Sequence, residues 1–185
     1  MRRALALGAI TLLAAALFGC GGDGGAPAVD KEADVEVLNE ILARQIAAVD
    51  AYGEALPALR GANLTAAREF RAQEQEHVDA TTKTLRGLEA EADPPAEAIE
   101  AGDLATPGDA LRFLYELESA TIDAELSAVA KLTIAWPRPL IASMAANQAQ
   151  RLVSIRRALG AKPLATVPEA FETGETPAPE EMIEG

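Results

Sequence analysis

The sequence predicts an all-α protein, an antiparallel four-helix bundle made of two helical hairpins joined by a long crossover. Three observations predict it. Alanine, leucine and glutamate run in long stretches free of Gly and Pro, and aromatics are only 4% of the chain, so strand-favouring clusters are scarce. Four stretches carry apolar residues at helical spacing. The links between them are short, long and short, which makes neighbours of the first two and of the last two. With 185 residues, 49% of them hydrophobic, the chain can form one domain with a real core.

Met1-Arg2-Arg3 and the apolar run Ala4 to Phe18 read as a signal peptide, residues 1–19, too short for a comfortable membrane span. Leu17-Phe18-Gly19-Cys20 resembles a bacterial lipobox, where a small residue before Cys permits cleavage and the thiol is diacylated. Cys20 is the only cysteine, so no disulfide is expected within the chain. Residues 20–33 then hold the acylated Cys20 and a Gly-rich flexible tether. The expectation is a protein anchored to a membrane through lipid, such as palmitate, in the extracytoplasmic cell envelope.

The bundle is expected over residues 34–160. The first helix runs from about Asp34 to Leu59, with Leu38, Ile41, Leu42, Val49, Tyr52 and Leu56 on its apolar stripe. Gly61-Ala62-Asn63 forms a turn, with Asn63 as N-cap of a second helix from about Leu64 to Glu91. A connector over 92–105, containing Asp93-Pro94-Pro95 and Gly102-Asp103, is long enough to cross the bundle. Thr106-Pro107-Gly108-Asp109 opens the third helix with an N-cap, Pro at N1 and an acid at N3, and the helix runs to about Ile134. Trp136-Pro137-Arg138-Pro139 breaks it. The fourth helix spans about Leu140 to Leu159 and is closed by Gly160. Residues 161–185 are an acidic, Pro- and Glu-rich tail, expected to be largely extended.

Each helix places polar residues where core residues belong: Gln45 on the first, Glu74 and His77 on the second, Glu118 and Glu125 on the third, Gln148 and Arg151 on the fourth. Glu74 and His77, three apart, project from one face that is otherwise apolar. Glu-x-x-His aimed into a bundle is the half-site of di-iron and di-manganese carboxylate centres, which need two such pairs and two further glutamates. Gln45, Glu74, Glu118 and Gln148 each fall near mid-helix, so a polar core is expected. No serine or cysteine nucleophile has a base set out for it, and no catalytic residue is assigned.

Two hairpins, a long crossover and this Glu-x-x-His resemble the ferritin-like superfamily over about residues 34–160, and most closely its small secreted or lipid-anchored bacterial members. Pro168-Glu169-Ala170-Phe171 is similar to that group's tail. The resemblance implies a Glu on helix one, seven residues before a Tyr; Tyr52 matches as an outer-shell residue, but position 45 is Gln. It implies Glu-x-x-His on helix two, met by Glu74 and His77, and a mid-stripe Glu on helix three, met by Glu118. The second Glu-x-x-His is replaced by Gln148-Ala149-Gln150-Arg151. Glutamine brings no charge, and a guanidinium has no lone pair to donate. Arg151 is expected to bridge Glu118 and Glu74, with Gln45 and Gln148 filling the remaining hydrogen-bond positions.

Four readings stay open. One is a non-catalytic scaffold with a vestigial metal site and no cofactor. Another is a single divalent ion (iron, manganese or zinc) on Glu74, His77 and Glu118, with Glu125 as a further carboxylate. A ferroxidase-type enzyme retaining two metals is disfavoured by Arg151. In the last, these are ordinary surface residues of an unrelated bundle. The formal charge of −13, or −15 once Arg2 and Arg3 leave with the leader, supplies no basic patch, so nucleic acid is not an expected partner. The expected partners are the membrane, through the anchor, and an unidentified protein; a homodimer stays open.

Overall fold

A computed structural model describes residues 28–162, which form four α-helices and no strands. The expected leader, Cys20, most of the tether and nearly all of the acidic tail lie outside the described residues. The helices are α1 (Lys31–Ala55), α2 (Gly61–Gly87), α3 (Pro107–Lys131) and α4 (Arg138–Ala158). α1 packs chiefly on α2, and α3 on α4; the hairpins join mainly through α1 and α3, and only sparsely through α2 and α4. No described helix is long and apolar enough to cross a membrane.

Helix ends follow local chemistry. Asp30 caps α1, its Oδ1 accepting from the Ala33 amide at 3.0 Å, so the helix starts three residues before the expected Asp34. Pro57 cannot donate an amide, and α1 passes into a 3-10 turn at Leu56–Ala58. The expected N-cap at Asn63 is corrected: α2 begins at Gly61, whose φ of +56° lets the chain turn before the asparagine is reached. α2 ends at Gly87 rather than near Glu91. Glu89 takes φ +55°, its amide bonding the Arg86 carbonyl at 2.9 Å and the Ala90 amide bonding Leu85 at 3.0 Å.

The connector is corrected to residues 88–106. It is fastened by Asn39 Oδ1, which accepts from the Asp93 amide at 2.9 Å, and by an Arg44–Glu97 ion pair at 3.0 Å. Ile99 and Leu104 pack on the core. At α3, Thr106 and Asp109 form a reciprocal capping box, with Pro107 at N1. α3 stops at Lys131, short of the expected Ile134. α4 starts at Arg138 and closes at Gly160, φ +92°.

Two apolar clusters fill the interior. One gathers Tyr52, Leu59, Leu111, Leu114, Leu152 and Ile155. The other gathers Leu38, Ile41, Leu42, Leu85, Leu132, Ile141 and Met144. On α1 and α2 the polar core residues come between the two clusters, and on α3 and α4 most of them come among the first cluster's residues, so the bundle carries a charged layer across its middle. Burial of Glu74, Glu118, Glu125, Gln45, Gln148 and Arg151, each at 2% exposure or less, overturns the reading of an ordinary surface.

Candidate functional site

Arg151 organises the layer. It projects from α4, and its Nη1 pairs with Glu74 Oε1 of α2 and with Glu118 Oε1 of α3, the latter at 3.1 Å. Its Nε donates to Gln73 Oε1 at 3.1 Å and its Nη2 to Asn147 Oδ1 at 2.6 Å. The face of Phe70 lies 5.7 Å from the guanidinium carbon. All three of its nitrogens are therefore engaged, and the side chain spans the sparsely packed seam between α2 and α4. Tyr52 donates its hydroxyl to Glu118 Oε1, completing that carboxylate's inner edge.

A second group lies further along the layer. Gln148 Nε2 donates to Glu74 Oε1 at 3.3 Å and to Glu125 Oε1 at 3.4 Å. Gln45 Nε2 reaches Glu125 Oε1 and Met144 Sδ, both at 3.4 Å, while its Oε1 accepts from Thr81 Oγ1 at 2.8 Å. His77 Nδ1 stands 3.5 Å from Glu74 Oε1. The structure thus brings together Gln45, Tyr52, Glu74, His77, Glu118, Glu125, Gln148 and Arg151; Cys20 lies outside the described residues.

The electrostatics divide the three acids. Burial pushes the Glu74 carboxyl up, but the neighbouring His77 imidazole and the Arg151 charge outweigh it and hold Glu74 below the usual range. Burial raises Glu118 to about 7; Arg151 opposes this and Glu74 adds to it. Burial and the neighbouring Glu74 charge raise Glu125 to about 8. At neutral pH Glu125 is therefore mostly a carboxylic acid, and Glu74 and Glu118 share the charge that faces Arg151. Tyr52 is pushed well above its ordinary value by burial and by Glu118.

The ferritin-like domain family matches residues 33–161, all but the first two residues of the four-helix unit. The chain belongs to that family. A solved structure of a ferritin-like, diiron-carboxylate protein from Bacillus anthracis str. Ames superposes with a TM-score of 0.57 at 18% identity, covering 71% of this chain and 98% of that one. At that identity the likeness is one of fold. No curated protein matches the sequence.

In this ferritin-like domain the residues present do not fit a two-metal centre. Two ions need about four carboxylates and a histidine for each; here one histidine and three acids converge, and one of the acids holds its proton to about pH 8. The guanidinium occupies Glu74 Oε1 and Glu118 Oε1, one oxygen of each carboxylate. No group of three or more His, Cys, Asp or Glu side chains among the described residues is arranged to hold a metal ion. What remains is a set of buried atoms without hydrogen-bond partners: Oε2 of Glu74, Glu118 and Glu125, Oε1 of Gln148 and Nδ1 of His77. Such orphans cost stability unless water reaches them, and they mark where a polar core keeps more acceptors than its donors can serve.

Sequence reasoning missed three contributors. Gln73 and Asn147 bond the guanidinium from helix faces that look solvent-directed. Thr81 bonds Gln45 from α2, and a threonine four residues past the histidine is a sequence signal for a donor to the core.

Proposed function

We propose that this ferritin-like domain is a non-catalytic scaffold, held at the outer face of a bacterial membrane by an acylated Cys20, whose metal site is vestigial. The observation that carries the reading is the Arg151 guanidinium paired with both Glu74 and Glu118. A fixed cation in the second metal's place offsets one carboxylate charge of the inherited pair and leaves little net charge to offer an ion. The lipobox-like Leu17-Phe18-Gly19-Cys20 supports the anchor.

One observation favours a second reading, a single iron, manganese or zinc ion on Glu74, His77 and Glu118: each of the three keeps an unpartnered buried atom. Elemental analysis of residues 21–185, produced with all three metals supplied, separates the two. The scaffold reading expects no metal above background in the wild type and a gain in the variant Gln45→Glu/Gln148→Glu/Arg151→His. About one metal per chain, lost in His77→Ala, would support the single-ion reading instead.

A further inference from the structure

The end of the bundle at which the described chain begins presents an apolar group held in a fixed pose. Val29 is 67% exposed and Trp136 52%, in the approach to α1 and in the turn between α3 and α4. These two segments are stitched together. The Asp34 carboxylate, fully buried, accepts from the Thr133 amide at 2.7 Å and from the Ile134 amide at 2.6 Å. The Asp30 amide donates to Thr133 Oγ1 at 2.8 Å, and Arg138 Nε donates to the Leu132 carbonyl at 2.8 Å. The edge of the indole lies against Gly87 of α2, where an added Cβ would sit 3.2 Å from the ring. Neighbouring helices thus fix Trp136 while half its surface stays in water. An amphipathic ring in that situation suits the boundary between bilayer and water better than bulk solvent.

The distance to the anchor favours the same end. Eight residue steps separate Cys20 from Ala28, a reach of about 26–29 Å when fully extended. α1 alone, 25 residues long, is about 38 Å from end to end. A chain held by Cys20 therefore keeps the Val29 and Trp136 end within about 29 Å of the bilayer at all times, whereas the opposite end is free to stand farther off. The strong acidity of the chain gives anionic lipids no reason to attract any other face.

We propose that the end of the bundle bearing Val29 and Trp136 rests on the membrane that carries the anchor, with the Trp136 indole seated at headgroup level. The proposal builds on the lipid-anchored reading above. The contact is apolar, so it persists in high salt, unlike a basic-patch interaction.

Trp136 is the only tryptophan, so intrinsic fluorescence reports this one position. The mature chain is placed on phosphatidylethanolamine/phosphatidylglycerol vesicles by its own acyl chains. If mass spectrometry of the Cys20 peptide finds none, which would count against the anchor reading alone, Cys20 is coupled to a maleimide lipid instead. The expected result is a blue shift, a several-fold loss of acrylamide quenching, and quenching by lipids brominated near the headgroup end of their chains, all retained in high salt. Vesicle-bound protein whose Trp136 emission and acrylamide quenching match those of the free protein would overturn the proposal. So would a blue shift that needs no vesicles and grows with protein concentration, which would assign the face to a second copy of the chain.

Discussion

Arg151 is 2% exposed and still charged, because Glu118 and Glu74 more than offset the burial that disfavours its protonated form. Removing the guanidinium leaves those two acids facing each other in a dry layer. Arg151→Met is therefore expected to lose about 3–5 kcal/mol of stability at neutral pH, read from urea denaturation; a neutral result would mean that the pairing contributes nothing. The other acids respond to pH with a definite sign. Glu118 and Glu125 keep their protons to about 7 and about 8 against an ordinary 4.5, so the folded chain binds more protons than the unfolded one between those values. Their contribution is complete at the acid end and is lost as pH rises through that range. Glu74, held below its ordinary value, loses its contribution only in acid. The urea midpoint should thus fall between about pH 5.5 and about pH 8.5, and fall less in Glu125→Gln, which removes one of the titrating groups. An equal slope in both proteins would show that Glu125 does not hold its proton. Much of this layer was legible in the sequence, since polar side chains in the middle of an apolar stripe must face one another. The division of labour was not: which acid keeps its proton depends on distances to one guanidinium, and no spacing rule supplies those.

Helix starts and stops were legible where a side chain makes them and illegible where the backbone does. Thr106, Pro107 and Asp109 announce the start of α3 by their chemistry alone, and the capping box forms there. At α2 the signal misled. Asn63 is a good N-cap by type, yet Gly61 turns the chain two residues earlier through a positive φ that costs glycine little. The far end of α2 hides more thoroughly, because a glutamate occupies the left-handed position that glycine usually takes. Glu89→Gly should therefore raise stability by about 1 kcal/mol, relieving a left-handed penalty of about 1–2 kcal/mol against the extra entropy of the unfolded glycine. The exchange also removes the Lys31–Glu89 ion pair, which at 3.9 Å and well exposed is too weak to reverse the sign. A thermal midpoint that falls in this variant would contradict the assignment. Asp34 shows a different limit. An acid in a first turn reads as a complement to the helix dipole, whereas this one turns inward and fastens a loop about a hundred residues away.

At the scale of the whole molecule, two hairpins and a crossover follow from periodicity and link length alone, and the ferritin-like fold agrees with both. Whether Cys20 holds the chain at a membrane is a separate matter, to be settled by fractionation of cells producing Cys20→Ser. The expected outcome is release from the membrane fraction into the medium; continued sedimentation would assign retention to something other than the thiol. The guanidinium also has a consequence at this scale. A bundle whose buried acids are neutralised by bound ions gains stability by mass action, in proportion to the logarithm of the free metal around it, and a chelator can take that stability away. Here the counter-charge is part of the chain, always present at one copy per fold and beyond the reach of any scavenger. This version of the fold should melt at the same temperature in metal-starved and metal-rich surroundings.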